Sequence, residues 1–333
     1  MKNKQMKKAV LIVLLLFGTI STQTFAQNIK PYKEVITSES LTKKGFLQAH
    51  QLENKLYLEI PSAMLNKDML FVKHDSRSEH KQIKWTKSND KIHLIIPEIK
   101  SEAGNIIPVV KGGAIKKITP ATFPILAMGP NHSSYVIDVT ALFLSPPKEL
   151  PGSGTAIFDG LASINKVVAV DNTLEVKTTK TITSNAGPVT VDADFSLLLL
   201  PEPMMPRLYD PRMGFFIETT PVPGSKPIRA SIRRWRLEKK HKDQALSDPI
   251  TPITLYFDPA TPDKFKPYIK AGVEEWLPAF EAAGFKNAIQ VKEPPTDDPD
   301  WSLTSMRYSY IHWTDKTNYR GKEGGPVEAV LTP

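Results

Sequence analysis

Cysteine is missing from all 333 residues of this sequence. Neither a disulfide nor a thiolate metal ligand can therefore form in the chain, and a lipid-modified cysteine at the amino terminus is excluded by chemistry. Also missing are a Gly-x-Ser-x-Gly nucleophile turn, a glycine-rich phosphate loop and a dinucleotide fingerprint. Their absence removes three routes to hydrolase, nucleotide and oxidoreductase chemistry. The histidines are His50, His74, His80, His93, His132, His241 and His312, and no two are four residues apart. Paired imidazoles on one helical face, the usual grip on a catalytic zinc, cannot be built from them.

Long hydrophobic runs are scarce too. The longest apolar stretch, Ala9 to Ile20, is about a dozen residues, short of the roughly 20 that span a bilayer as a helix. Lys2, Lys4, Lys7 and Lys8 precede it and Thr24-Phe25-Ala26 follows. This order of charged, apolar and small-residue regions predicts a signal peptide over 1–26, cleaved to leave Gln27 first. The expected address is therefore exported, periplasmic or extracellular. The formal charge of +8 falls to about +4 without the four signal lysines, which is mild. Charge and export together argue against nucleic acid as a partner, and loss of the signal leaves no membrane anchor.

What is abundant is proline, with 29 residues, which favours short strands and turns over long helices. Residues 27–75 read as a leader and a first hairpin, in which Gly45–His50 and Lys55–Ile60 flank Glu53-Asn54. Residues 76–244 read as a β-rich region, with strands at Lys91–Pro97, Ser134–Asp138, Thr173–Ile182 and Asp194–Leu200. Turns at Gly112-Gly113, Gly129-Pro130, Pro146-Pro147 and Gly152-Ser153-Gly154 separate them. Such punctuation predicts a sandwich or an open barrel.

From 245 to 313 the grammar changes. A strand over Pro252–Phe257 precedes a helix with the apolar stripe Phe265, Ile269, Val273, Trp276, Leu277 and Phe280. Pro278 should kink that helix and Gly284 should end it. Strands at Ala288–Val291 and Met306–Trp313 complete a β-α-β-β order, and 314–333 reads as a divergent polar tail. The predicted fold class is thus a mainly β amino-terminal domain followed by an incomplete α/β segment.

Several ordered motifs carry a resemblance. They are Lys30-Pro31-Tyr32-Lys33-Glu34-Val35-Ile36-Thr37, Tyr57-Leu58-Glu59-Ile60-Pro61, Tyr135-Val136-Ile137-Asp138-Val139-Thr140, Asp210-Pro211-Arg212-Met213-Gly214-Phe215-Phe216, Arg234-Trp235-Arg236-Leu237-Glu238-Lys239, and the stretch Pro252 to Gly284. Together they resemble a family of exported, Bacteroidetes-type zinc-dependent metalloproteases over most of residues 30–313. The resemblance implies a front domain of unknown function, then a metzincin-like, zincin-type catalytic domain starting near Pro252. Such a domain continues into a helix bearing His-Glu-x-x-His, which this chain lacks, and beyond Trp313 the likeness stops. The expectation is a chain truncated or frame-disrupted before the zinc motif, with zinc only in full-length relatives and no catalytic, cofactor-binding or metal residue here.

Other clusters read as structure before chemistry. His74-Asp75 with Glu79-His80 has metal-type donors but loop spacing. The basic run Arg233, Arg234, Arg236, Lys239, Lys240, His241 and Lys242 around Trp235 suits a solvated edge strand with one buried face. Asp297, Asp298 and Asp300 do not match a calcium-loop spacing and sit among turn prolines. Glu274 and Glu275 are adjacent and diverge on a helix, against an acid and base pair. Tyr57, Trp85, Tyr135 and Trp235 could line a carbohydrate groove but at strand spacing suit a core. The leading function is the amino-terminal portion of a metalloprotease-like protein without peptidase activity. The alternative is a non-catalytic β module that binds a protein, peptide or glycan. A third expectation, a nonfunctional remnant, leaves Ile269, Val273, Trp276 and Phe280 without packing partners.

Overall fold

The computed structural model describes residues 29–74, 79–97, 118–153, 157–184, 187–205, 207–220, 229–313 and 327–330. The expected signal segment, Gly112-Gly113, Gly154 and Asp75 lie outside the described residues.

The chain enters through a short helix, α1 (Tyr32–Val35), and strands β1 (Leu41–Lys43), β2 (Gln48–Leu52) and β3 (Lys55–Pro61). The expected hairpin is present, with Glu53 taking the left-handed conformation at φ 50° in its polar turn. Strands β4 (Met69–His74), β5 (Glu79–Ser88), β6 (Lys91–Ile96), β7 (Ile118–Pro124), β8 (Ala127–Met128) and β9 (Ser134–Asp138) follow, then helix α2 (Thr140–Leu144). Three long strands come next, β10 (Ile157–Val170), β11 (Thr173–Ser184) and β12 (Gly187–Leu199).

These elements form two antiparallel sheets, one ordered β1-β2-β3-β9-β8 and one ordered β10-β11-β12-β4-β5-β6-β7. The protein is mainly β, and the larger sheet curls into a half-barrel. Register shifts in β10 between Ile157 and Ala162 and between Ile164 and Lys166 bend one edge, as extra residues in one strand of a pair do.

Alternation explains the core. Ile92, Leu94 and Ile96 on β6 face inward while the residues between them are half-exposed. From the smaller sheet Leu56, Leu58 and Ile60 meet Met69, Phe71, Ile83, Trp85 and Phe195 of the larger. Phe71, Phe143 and Phe195 pack mutually at 5.6 to 6.0 Å between ring centroids, Phe71 stacked on Phe143 and Phe195 meeting Phe143 edge-on. Each such side chain contributes about 1.5–3 kcal/mol by leaving water. With no disulfide available, this burial holds the sheets together.

A small hairpin, β13 (Ile217–Thr220) with β14 (Arg229–Ile232), leads to the last unit. There β15 (Ile253–Phe257) lies parallel to both β16 (Ile289–Lys292) and β17 (Ser309–Trp313). Helices α3 (Lys266–Glu274) and α4 (Leu277–Ala282) cross between β15 and β16. The single expected helix is split at Glu275-Trp276, because Pro278 falls in the first turn of α4, where its missing N–H costs nothing. Gly284 ends it at φ 90°.

The expectation that the stripe lacks partners is corrected in part. Ile269, Val273 and Phe280 pack on Ile253, Leu255, Phe257, Val291 and Ile311, whereas Trp276 is 63% exposed. The tail is not wholly irregular either, since β18 (Val327–Val330) pairs antiparallel with β17. Among the described residues no helix is long and apolar enough to cross a membrane.

Candidate functional site

His74 and His80, singled out from sequence, stand on the paired strands β4 and β5. His74 Nε2 sits 2.9 Å from Ser196 Oγ across the β4/β12 pair, and His80 stands on β5 opposite Val72. No group of three or more His, Asp or Glu that could hold a metal ion occurs among the described residues. Tyr57 and Trp85 are buried and Trp235 is exposed, so with Tyr135 they do not share a groove. Glu274 pairs with Lys270 one turn away at 3.8 Å.

The predicted edge strand through the basic run is corrected. Strand β14 stops at Ile232, and residues 233–238 belong to no strand. Arg234 and Arg236 donate instead to the carbonyls of Met205 and Glu202. Side chain to backbone bonds have displaced a ladder.

Two polar networks escaped the sequence reading. The first is buried beneath α1 on the outer face of the smaller sheet. Strand β3 alternates so that Leu58 and Ile60 enter the main core while Tyr57 and Glu59 face α1. Glu59 is 2% exposed and His50 1%. Glu59 accepts from Tyr32 Oη at 2.8 Å, contacts His50 Nε2 at 3.2 Å and accepts from Ser134 Oγ. His50 Nδ1 in turn meets Thr42 Oγ1 at 2.9 Å.

Burial alone would raise the Glu59 pKa, but the bonds from His50, Ser134 and Tyr32 outweigh it and hold the carboxyl below its usual value. Burial and the same carboxylate push the Tyr32 phenol well above its ordinary range. Gly129 roofs the cluster, since a Cβ there would collide with Ser134 Oγ and Glu59 Oε1. Serine, histidine and carboxylate are all present, but the carboxylate sits between the other two. A nucleophile needs the imidazole in that place to take its proton. The arrangement is a structural lock.

The second network lies where residues 298–308 cross the outer face of the larger sheet. Met306 covers Leu70, Val72 and Leu198 there. Arg307 donates to Asp298 Oδ2 at 2.6 Å, to the Asp300 carbonyl at 3.0 Å and to Ser305 Oγ at 3.2 Å. Ser305 passes a bond to the buried Glu175 on β11. Tyr308 donates to Asp298 at 2.6 Å and Thr304 to Asp194 at 2.8 Å, while Lys166 reaches Asp300 at 2.7 Å.

Burial raises the Glu175 pKa, partly offset by Ser305, Arg307 and Lys177. Burial and Asp298 push the Tyr308 hydroxyl up to about 12. Asp298 itself stays below its usual value, because Tyr308, the Asp300 amide and Arg307 overcome its burial. Of the aspartates considered for calcium, Asp298 and Asp300 are thus satisfied by protein cations and donors. An open cleft of about 650 Å³ adjoins the network, lined by Lys44, Asp171, Asn172, Met306, Arg307 and Tyr308.

Arg307→Ala leaves Asp298 without its cation and cuts the link to Ser305. For a pair this buried a loss of about 1–3 kcal/mol is expected. The measurement is limited proteolysis, with cleavage near 295–308 accelerating well before the β-rich core is cut.

One further pair has acid and base geometry. The His312 Nδ1 lies 2.7 Å from Asp258 Oδ2, and Asp258 is buried while the imidazole is 40% exposed. A carboxylate so placed fixes the tautomer and orientation of a histidine. Its ring neighbour is Tyr310, at 6.1 Å between centroids.

Residues 75–240 match a family described as a domain of unknown function (DUF5117), and residues 29–77 match another domain of unknown function (DUF5118). No curated protein and no solved structure matches the chain.

Proposed function

We propose that this chain is the non-catalytic, β-rich front portion of an exported zinc-metalloprotease-like protein, a platform that carries the beginning of a metzincin-like α/β unit. One observation carries the absence of catalysis: none of the seven histidines has another four residues away, so the helical zinc grip and its intervening glutamate do not exist in this sequence.

The platform role is supported by the second network. It ties residues 298–308, just before β17, to β10, β11 and β12 through Asp300, Ser305 and Thr304. The finer reading of the last unit is supported by its parallel β15-β16 and β15-β17 pairs with helices between β15 and β16, which is how an α/β sheet begins.

The purified chain is expected to retain no stoichiometric zinc after dialysis and to leave casein intact. Metal analysis by plasma emission and a fluorescent casein assay measure both. Chelator-sensitive cleavage, or one tightly held zinc per chain, overturns the proposal.

A further inference from the structure

We infer that the arm formed by residues 202–205 and 207–216, alongside strand β14, is a peripheral docking surface for an anionic phospholipid bilayer. This goes beyond the sequence expectation of a chain free of membrane once its signal is gone.

Placement comes first. Leu208 bridges Ser231 of β14, the Ile232 amide donates to the Arg207 carbonyl, and the Arg233 amide donates to the Phe216 carbonyl. Arg234 and Arg236 clamp the carbonyls of Met205 and Glu202. Two stretches distant in sequence therefore make one ledge.

Its surface is unusual in two respects. Met205 and Phe216 are each 85% exposed, and Leu208, Met213 and Phe215 are exposed beside them. Large apolar side chains gathered so closely on a soluble surface mark an interaction site. The charge excess falls in the same stretch of sequence. Residues 202–242 hold ten Lys and Arg against four Asp and Glu, more than the whole net excess of about +4 expected after signal removal. Arg234 spends its hydrogen bond on the neutral carbonyl of Met205, whereas Arg212 is paired with Asp210 and Arg236 lies 3.6 Å from Glu238 Oε1.

These features favour a bilayer over a folded partner. Side chains this exposed stand clear of their neighbours as knobs, and a protein partner would need a matching socket for each. An interface of lipid headgroups receives apolar knobs without shape complementarity and attracts cations over a Debye length.

The test is sedimentation with vesicles of phosphatidylcholine, with and without phosphatidylglycerol. The full chain is expected to partition onto the anionic vesicles, to release in high salt and to ignore the neutral ones. The variant Met205→Ser/Phe216→Ser should lose at least about tenfold in partitioning, with an unchanged thermal melt showing that the fold persists. Failure to bind anionic vesicles, equal binding to neutral ones, or undiminished binding by the variant each overturns the inference. A concentration-dependent dimer that the variant abolishes, without vesicle binding, reassigns the ledge to a second copy. Retention on poly-glutamate without vesicle binding reassigns it to an acidic polypeptide. Both of those outcomes also overturn it.

Discussion

Replacing Glu59 by alanine is expected to cost about 3 kcal/mol or more of folding stability, enough to unfold a large fraction of a marginally stable domain. The loss comes less from the bonds themselves than from what remains. Tyr32, His50 and Ser134 would keep polar atoms pointed into a site that is 2% exposed and roofed by Gly129. Glu59→Gln keeps the shape and one acceptor, so a smaller loss of about 1–2 kcal/mol is expected.

The pH dependence carries a definite sign. The Glu59 carboxyl has a folded pKa below its unfolded value of 4.5. Its contribution is therefore complete above that value and disappears as pH falls through the lowered folded pKa. Urea midpoints by tryptophan fluorescence between pH 3 and 7 should show a shallower acid limb for Glu59→Gln than for the parent. Identical limbs would mean that the network does not hold the charge.

Lys180→Met is expected to stabilise the protein at neutral pH. Lys180 projects from β11 on the same face as Val176 and Thr178, is 4% exposed, and rests its ammonium 4.8 Å from the Phe195 ring centroid. Burial, then the charge of Lys73, lowers its pKa from 10.5 to about 8. That gap corresponds to roughly 3 kcal/mol of unfavourable burial of the charged form, an upper bound that methionine would recover in part. A gain of about 1–3 kcal/mol is expected.

The sign again follows from proton counting. Between about pH 8 and 10.5 the unfolded chain keeps a proton that the folded chain has released. Stability of the parent therefore rises with pH across that window. The advantage of Lys180→Met should be greatest at pH 7 and shrink by pH 10, read from thermal midpoints. An advantage independent of pH would reduce the effect to packing alone.

The residues themselves show why some features were legible and others were not. The first hairpin and the strand Ser134–Asp138 follow from alternation and turn chemistry within a few residues. Strand β10 escaped because its register shifts break the two-residue period across Gly160 and Asn165. The edge strand expected at Arg234-Trp235-Arg236 failed for the opposite reason. The residues alternate in sequence, but the arginines found backbone carbonyls 29 and 34 residues away and Trp235 is left exposed.

Glu59 gave one faint signal, a lone carboxylate in the apolar strand Lys55–Pro61. Nothing local could name its partners, which lie 9, 27 and 75 residues distant. Lys177 and Lys180 likewise look alike in sequence, yet one pairs with Asp194 and the other meets Phe195.

Composition and local order alone determined that no thiol chemistry is available, that strands dominate, and that the paired-histidine zinc helix is absent, because each depends only on which residues occur and at what short spacing. Only the tertiary structure decided which charges are buried and which are presented. It placed Glu59 and Lys180 inside, bound Arg307 between Asp298 and Ser305, and left Met205 and Phe216 in the open. Burial and charge pairing are set by contacts between segments far apart in the chain, and the energy of a charge depends on the dielectric around it more than on its neighbours in sequence.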